Sequence, residues 1–231
     1  QTAALPGYNV TGDFSVESGA ALGVVSALSD QVVADLLATG NFQPNSSIAF
    51  DTTDGDRTYS VNVIDAASGS GALGVTKTGT GTLELSGTNT YTGVTGVWDG
   101  TLYVPTVASL PGYNQAGKVD VFTNARLVIG NGFSNQNMED LLGAALFREN
   151  AILGIDTTDA NRTYTADIAD SAAGGLVIEK VGTGTLSLSG TNTYSGGTTV
   201  SGGTLAIASE ASLPGFATSG AYSLATGAQL L

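Results

Sequence analysis

Residues 77–93 read KTGTGTLELSGTNTYTG, and residues 180–196 read KVGTGTLSLSGTNTYSG. In both stretches leucines alternate with polar residues, which is the pattern of a half-buried β-strand. Glycine, asparagine and threonine surround these strands and favour turns. The chain is therefore built from short strands and tight turns, and one stretch of it occurs twice.

The repetition extends well beyond this stretch. Leu-Pro-Gly followed by an aromatic residue occurs at 5–8, 110–113 and 213–216, and Asp-Thr-Thr-Asp occurs at 51–54 and 156–159. The offset between copies is 105 residues before a Ser/Gly/Ala-rich linker and 103 residues after it. A surface loop tolerates such a deletion. We predict a tandem repeat of about 104 residues.

The tandem pattern favours an all-β fold of the β-solenoid type, in which each coil pairs with the next one along an axis. The turns of the repeated stretch are occupied by Gly, Asn and Thr rather than by the dipeptides that are specific to β-hairpins. The alternative is two separate β-sandwich domains of about a hundred residues each. We predict one continuous solenoid, with a first repeat at 1–107, a second at 108–207 and the start of a third at 208–231.

Each repeat also contains one short segment with helical spacing after a serine cap, at Ser29 and at Ser134. We expect a flanking α-helix of about ten residues in each repeat, and such a helix is too short to be stable alone. The apolar residues of these segments are Val32, Val33, Leu36 and Leu37 in the first repeat, and Met138, Leu141, Leu142 and Leu146 in the second.

Composition excludes several classes of function. The chain has no histidine and no cysteine, which removes Ser-His and Cys-His nucleophiles, disulfides and the usual zinc sites. It carries 20 acidic against 7 basic residues, a net charge of −13, which argues against binding of nucleic acid. No apolar run is long enough for a transmembrane segment.

Residues 77–93 and 180–205 resemble the autotransporter-associated β-strand repeat, a passenger-domain repeat of large bacterial surface proteins. The second copy follows the pattern through Thr-Leu at 204–205, whereas the first departs from it at 94–99. The resemblance implies a right-handed β-helix outside the cell. It implies no catalytic activity.

Within the repeated stretch we expect scaffold residues. The leucines should fill the interior, the glycines should form corners with positive φ, the asparagines should adopt left-handed geometry and stack as an amide ladder, and the tyrosines should pack over a corner. These residues are Gly79, Gly81, Leu83, Leu85, Asn89 and Tyr91 in the first copy, and Gly182, Gly184, Leu186, Leu188, Asn192 and Tyr194 in the second.

Clustered carboxylates suggest a metal site. Oxygen ligands of this kind bind Ca²⁺, although the spacing is not that of an EF-hand. The alternative is a turn in which aspartates cap backbone N–H groups and Arg57 and Arg162 pair with them at the surface. No other cofactor is expected. The candidate calcium ligands are Asp51, Asp54, Asp56, Asp156 and Asp159.

Two aromatic residues differ between the copies. Trp98 and Tyr103 alternate with apolar residues that should face inward, so both should face outward, whereas Ser201 and Ala206 stand at the matching positions. Together they form a candidate contact for a protein or a sugar. Drift of an exposed surface explains them equally well.

We therefore expect a structural, non-enzymatic segment of a long extracellular bacterial fibre, stalk or layer, whose partners are further copies of the repeat in the same or neighbouring chains. One alternative is an adhesin that binds surface glycans or proteins. A polysaccharide-active enzyme is the other, because paired carboxylates serve glycosidases. The acids, however, belong to a repeated turn, and a catalytic pair is needed only once.

Overall fold

The computed structural model describes residues 9–65 and 71–231. The chain divides into two compact units, unit 1 at residues 1–112 and unit 2 at residues 113–231. The first Leu-Pro-Gly-Tyr copy, at 5–8, and residues 66–70 of the Ser/Gly/Ala-rich linker lie outside the described residues. The predicted third repeat is part of unit 2.

Short strands dominate unit 1. They are β1 (Ser15–Val16), β2 (Ala21–Val25), β3 (Asn41–Phe42), β4 (Ser47–Asp51), β5 (Arg57–Tyr59), β6 (Gly74–Thr78), β7 (Thr82–Leu85), β8 (Thr95–Val97) and β9 (Thr101–Thr106). One sheet has the order β2-β4-β6-β8, a second has the order β5-β7-β9, and β1 pairs with β3. All of these pairs are parallel.

Unit 2 has the same arrangement. Its strands are β10 (Val119–Val121), β11 (Arg126–Gly132), β12 (Leu146–Phe147), β13 (Ala151–Asp156), β14 (Arg162–Tyr164), β15 (Leu176–Val181), β16 (Thr185–Leu188), β17 (Thr198–Val200), β18 (Thr204–Ile207), β19 (Tyr222–Leu224) and β20 (Gln229–Leu230). The parallel orders are β11-β13-β15-β17-β19, β14-β16-β18-β20 and β10-β12.

The order of pairing shows how the chain coils within each unit. From β4 to β9 in unit 1, and from β13 to β20 in unit 2, the chain alternates between two sheets, so within these ranges each strand pairs with the strand two places along in sequence. Parallel neighbours need a crossover connection, and here the strand of the other sheet is part of it. A β-sandwich has antiparallel sheets, so the sandwich alternative is wrong.

The described residues contain two α-helices, α1 (Asp30–Thr39) and α2 (Asn135–Ala144), and 3₁₀ turns occur at Val107–Ser109 and Glu210–Ser212. Ser29 caps α1 and Ser134 caps α2 through side-chain bonds to backbone N–H groups. Neither helix is long and apolar enough to cross a membrane in the part of the chain that the structure describes.

The end of α2 differs from expectation in one residue, and the end of α1 is fixed by a glycine. Leu146 does not extend the apolar face of α2, because it begins β12 after the cap at Ala145. Gly40 ends α1 with negative φ, so the site does not need glycine for a left-handed cap. It needs glycine for space, since a Cβ there would meet the rings of Phe14 and Phe42.

The interior follows from the alternation in the strands. Leu83, Leu85, Leu186 and Leu188 are each at most 1% exposed, while the residues between them face outward. Each buried leucine stabilises the fold by about 1.5–3 kcal/mol. In β7 and β9, Leu83 lies beside Leu102, so like residues stack from coil to coil. The prediction of a mainly β chain with parallel sheets is confirmed.

Candidate functional site

A buried lysine occupies the corner between β6 and β7. Lys77 is 0% exposed. Its Nζ donates hydrogen bonds to the carbonyl oxygens of Thr78 (2.8 Å), Gly79 (2.6 Å) and Asp99 (3.0 Å). These three acceptors use all three donors of the ammonium group. Because Asp99 lies one coil later than the other two, the lysine ties neighbouring coils together.

The same site recurs in unit 2. Lys180 is also 0% exposed, and its Nζ donates to the carbonyl oxygens of Val181 (3.0 Å), Gly182 (2.7 Å) and Gly202 (3.0 Å). Both lysines stand at the start of the repeated stretch, and no role was predicted for them. The available signal was their identical position in a chain with only 7 basic residues.

Burial lowers the pKa of both lysines, that of Lys77 to about 8. Nearby carboxylates oppose this effect by favouring the charged form. Asp99, Asp51 and Asp56 all act on Lys77, whereas Asp156 alone acts on Lys180. The corner of unit 1 is thus the more acidic of the two.

The corner glycines act by two different physical means. Gly79 and Gly182 have φ of +75° and +82°, the conformation expected of them. Gly81 and Gly184 do not have positive φ, so the expectation was wrong for them. A Cβ at these positions would lie 2.6 Å and 2.4 Å from the carbonyl oxygens of Thr52 and Thr157, so they are needed for close approach.

Asn89 connects three segments of unit 1 from a buried position. Its Oδ1 accepts a hydrogen bond from the backbone N of Val63 (2.8 Å), and its Nδ2 donates to the carbonyl O of Ser109 (2.8 Å). The backbone N of Asn89 donates to the carbonyl O of Ala108. Val63 lies one coil earlier and Ser109 one coil later, so the side chain joins backbone across three coils.

Asn192 makes the equivalent bonds in unit 2, to the N of Ile168 (2.8 Å) and the O of Ser212 (2.7 Å). Neither Asn89 nor Asn192 has positive φ, so the left-handed expectation was wrong. The amide-ladder expectation was wrong as well, because the amides bond backbone groups rather than each other. A buried amide satisfies two backbone groups that water does not reach.

Tyr91 and Tyr194 pack in the interior beside threonine. They are 2% and 1% exposed, and their hydroxyls share hydrogen bonds with Oγ1 of Thr95 (2.7 Å) and Thr198 (2.6 Å). Burial raises the pKa of both phenols, that of Tyr194 to about 12. Both tyrosines are therefore scaffold residues.

The predicted calcium ligands form a backbone-capping turn in each copy. Oδ1 of Asp51 accepts from the N (2.9 Å) and Oγ1 (2.6 Å) of Thr53, and these bonds lower the pKa of Asp51. Asp156 makes the same bonds to Thr158 at 2.9 Å and 2.7 Å. Asp56 accepts from the N of Thr82 at 2.7 Å. These contacts are those of the turn alternative.

The remaining two candidates, Asp54 and Asp159, have exposed side chains. Within residues 9–65 and 71–231, no three histidine, cysteine, aspartate or glutamate side chains are grouped so as to hold a metal ion. Calcium binding stays a prediction, and the geometry does not add to it.

The two arginines do not pair with this turn at the surface, as the alternative had assumed. Arg57 is 7% exposed and donates to the carbonyl O of Val25 (2.9 Å) and to Asp30 (3.2 Å) at the start of α1. Arg162 donates to the carbonyl O of Phe133 at 2.7 Å, just before α2. The arginines therefore attach each helix start to the coil below it.

Two further aspartates, which were not predicted as site residues, hold the linkers. Oδ1 of Asp65 accepts from the backbone N of Leu73 and of Thr92, both at 2.9 Å. Asp170 makes the equivalent bonds to Leu176 and Ser195, and these hydrogen bonds lower its pKa. The signal was their shared offset of 105 residues.

Trp98 and Tyr103 both face outward but lie on different sheets. Trp98 directly follows β8 and is 56% exposed, while Tyr103 is half-buried within β9 beside Glu84. The indole lies over Gly96, where a Cβ would be 2.8 Å from Nε1. The two aromatic residues therefore do not form a single platform, and Trp98 is the more exposed.

Exposed apolar side chains distinguish unit 1 from unit 2. At five equivalent positions unit 1 has an exposed large residue and unit 2 has a small one. In the described part of unit 2, large exposed apolar residues occur only from Phe216 onward. The pairs are Val25 and Gly130, Val61 and Ala166, Ile64 and Ala169, Val94 and Gly197, and Trp98 and Ser201.

The two units also differ in surface charge. Residues 1–112 contain ten acidic and two basic side chains, and unit 2 contains ten acidic and five basic ones. Both basic side chains of unit 1, Arg57 and Lys77, are buried, whereas none of its acidic side chains is. The exposed side-chain charge of unit 1 is therefore entirely negative.

Parallel strands that return to the same two sheets in each unit, with repeated side chains at each corner, define a repeat protein of the parallel β class. Residues 75–104 and 178–207 each match the family described as the passenger-associated-transport-repeat. These two stretches are similar to this repeat, and the predicted resemblance is confirmed. Comparison with the curated proteins and with the solved structures gave no match.

Proposed function

We propose that the chain is a structural segment of an extracellular passenger domain on a bacterial surface. In this proposal tandem repeats coil as a right-handed β-helix and build a stiff fibre, stalk or layer. The partners are further copies of the repeat, in the same chain or in neighbouring chains.

The observation that supports this proposal most directly is the set of bonds that joins coils within each unit. Lys77 and Asn89 bond backbone groups of adjacent coils, and Lys180 and Asn192 make the same bonds. In a one-dimensional stack, stability comes from such contacts between neighbours. A repeat of this kind extends by adding further copies.

The proposal includes no catalytic activity and no cofactor. The carboxylates of Asp51 and Asp156 accept hydrogen bonds in a turn that occurs once in each copy. A glycosidase needs one pair of carboxylates across a cleft, and a repeated capping turn is a different arrangement. Assays on acidic and neutral polysaccharides test this part, and turnover that is lost in Asp51→Asn would overturn it.

Imaging of the native cell surface tests the structural role. Antibodies raised against this chain should label filaments or a layer on the outside of the cell, with a regular axial repeat. A strain that lacks the protein is the control and should show neither the label nor the filaments. Label confined to the cell interior, or to isolated compact particles, would contradict the proposal.

Adhesion is the second candidate function. The observation that favours it is the exposed Trp98, which stands where unit 2 has Ser201. Aromatic side chains are enriched among the residues that dominate binding energies at interfaces. A scaffold role alone does not require an exposed indole.

A further inference from the structure

The outer face of the β2-β4-β6-β8 sheet is lined by small side chains. In its central row, Gly23 lies beside Ala49, Ala49 beside Thr76, and Thr76 beside Gly96. The indole of Trp98 covers the last of these. We call this surface, Gly23, Ala49, Thr76, Gly96 and Trp98, the tryptophan face. Gly23 is exposed and Ala49 is half-buried, so a partner can approach the backbone closely beside the indole.

Carboxylates border the tryptophan face. Asp99 follows Trp98 and is exposed. Asp51 on β4 lies beside Thr78 on β6, and Trp98 continues the same row after β8. Asp51 is therefore two strands from Trp98, which is about 10 Å at the usual strand spacing. Because unit 1 presents no positive side-chain charge to solvent, a negatively charged partner is repelled there and a positively charged one is attracted.

The equivalent face of unit 2 already has a guanidinium of its own. Arg126 donates from Nε to Glu179 at 2.8 Å, and the Ser201 hydroxyl donates to the same carboxylate. By the repeat offset, Ala21 and Thr76 stand at the positions of Arg126 and Glu179. Unit 1 therefore lacks this internal ion pair and has an indole in the position of Ser201.

We propose that the tryptophan face of unit 1 binds a basic polypeptide segment, with an arginine or lysine side chain over the indole of Trp98 and neighbouring basic side chains on Asp51 and Asp99. A cation over a tryptophan face is attracted by the ring. Arginine fits best, because its planar guanidinium both stacks on an aromatic ring and pairs with carboxylates. This inference rests on the second candidate function and not on the fibre.

Trp98 is the only tryptophan of the chain, so its fluorescence reports on this face alone. The probe is a fluorescein-labelled peptide of four Arg-Gly-Ser repeats, titrated into the full chain and followed by anisotropy. The unlabelled peptide should change the emission of Trp98. Raising the salt concentration should weaken binding, because screening reduces attraction between exposed charges. A peptide of four Glu-Gly-Ser repeats should not bind.

The second copy supplies matched substitutions. Trp98→Ser and Asp99→Gly introduce the residues found at 201 and 202, and each should weaken binding about tenfold. Asp159→Asn removes an exposed carboxylate of unit 2 and should leave affinity within about twofold. Far-UV circular dichroism confirms that the variants are folded.

Three results would overturn the inference: unchanged affinity in Trp98→Ser, an equal loss in Asp159→Asn, or tighter binding of a glucosamine hexamer than of the arginine peptide. The second result would indicate attraction by net charge alone, and the third an amino-sugar ligand. None of them bears on the structural role, because surface imaging tests that role separately.

Discussion

Units 1 and 2 share their inner bonds and differ on their surfaces. Lys77 and Lys180 bond three carbonyl oxygens in the same way, whereas the exposed Trp98 of unit 1 stands where unit 2 has Ser201. A buried polar group needs its partner in every copy, because the cost of leaving it unpaired is large. An exposed position carries no such requirement. Substitution of a buried polar residue should therefore destabilise either unit to the same extent. Substitution of an exposed residue should have an effect in one unit alone.

The largest expected effect is loss of the fold at alkaline pH in both units. Burial raises the pKa of Tyr59, Tyr164 and Tyr194 to about 12 and raises that of Tyr91 as well. The unfolded chain therefore loses phenol protons first, so this stability is complete below about pH 10 and is lost as pH rises toward 12. Thermal unfolding should show a Tm that falls between pH 10 and 12.

Phenolate absorbance at 295 nm provides the control for the alkaline effect. In the folded chain part of this absorbance should appear only together with unfolding, while in denaturant all of it should appear near pH 10. Complete ionisation at pH 10 with the circular dichroism unchanged would show that the tyrosines do not hold either unit together.

Removal of the buried asparagine should have the next largest effect. Asn89→Ala and Asn192→Ala each leave one backbone N–H and one carbonyl without a partner, at a cost of about 4 kcal/mol in the free energy of unfolding. Urea unfolding measures this cost. Asn62→Ala is the matched control, since Asn62 is exposed and accepts one bond from Thr88. A large loss of unfolding free energy for only one of the two asparagine variants would show that the two residues do not have the same role.

Lys77→Met and Lys180→Met should each destabilise the chain by about 3 kcal/mol, because carbonyl oxygens at the corner lose a charged donor. The pH dependence of stability tests the assignment at Lys77. At Lys77 the folded pKa of about 8 lies below the ordinary 10.5, so the folded chain binds fewer protons between these values and gains stability as pH rises. Lys77→Met should lack this gain, and a gain equal to that of the wild type would contradict the assignment.

Gly81→Ala and Gly184→Ala should cost about 2 kcal/mol each, because the new methyl group meets a carbonyl oxygen of the preceding coil. Gly23→Ala is the control, since a Cβ at Gly23 meets nothing within 4 Å. Its expected change in the free energy of unfolding is close to zero. Equal stability of all three variants would show that close approach does not set the spacing of the coils.

The smallest effect is expected at the surface. Trp98→Ser should change the free energy of unfolding by no more than about 0.5 kcal/mol, because surface substitutions away from special backbone features are usually nearly neutral. Circular dichroism follows unfolding of this variant, which lacks the fluorophore. A loss above about 2 kcal/mol would mean that the indole is a structural part of unit 1.

The repeated stretch predicted the strands and their interior leucines well, because a period of two fixes which side chains face inward. Prediction was poorer for single polar residues. Asn89 was expected to form a ladder of amides, yet it bonds Val63 and Ser109, which lie 26 and 20 residues away. Residues this far apart in sequence come into contact because one coil of the fold spans about that many residues. The identity of a single asparagine does not reveal the length of the coil.

By itself, the sequence determined the period of the repeat, the class of the fold, the negative charge and the caps of both helices, since these depend on local patterns and on composition. Only the tertiary structure decided that Lys77 and Arg57 are buried. Lysine and arginine are ordinarily surface residues. The position of each on its coil, and the carbonyl groups that neighbouring coils present there, outweighed those preferences.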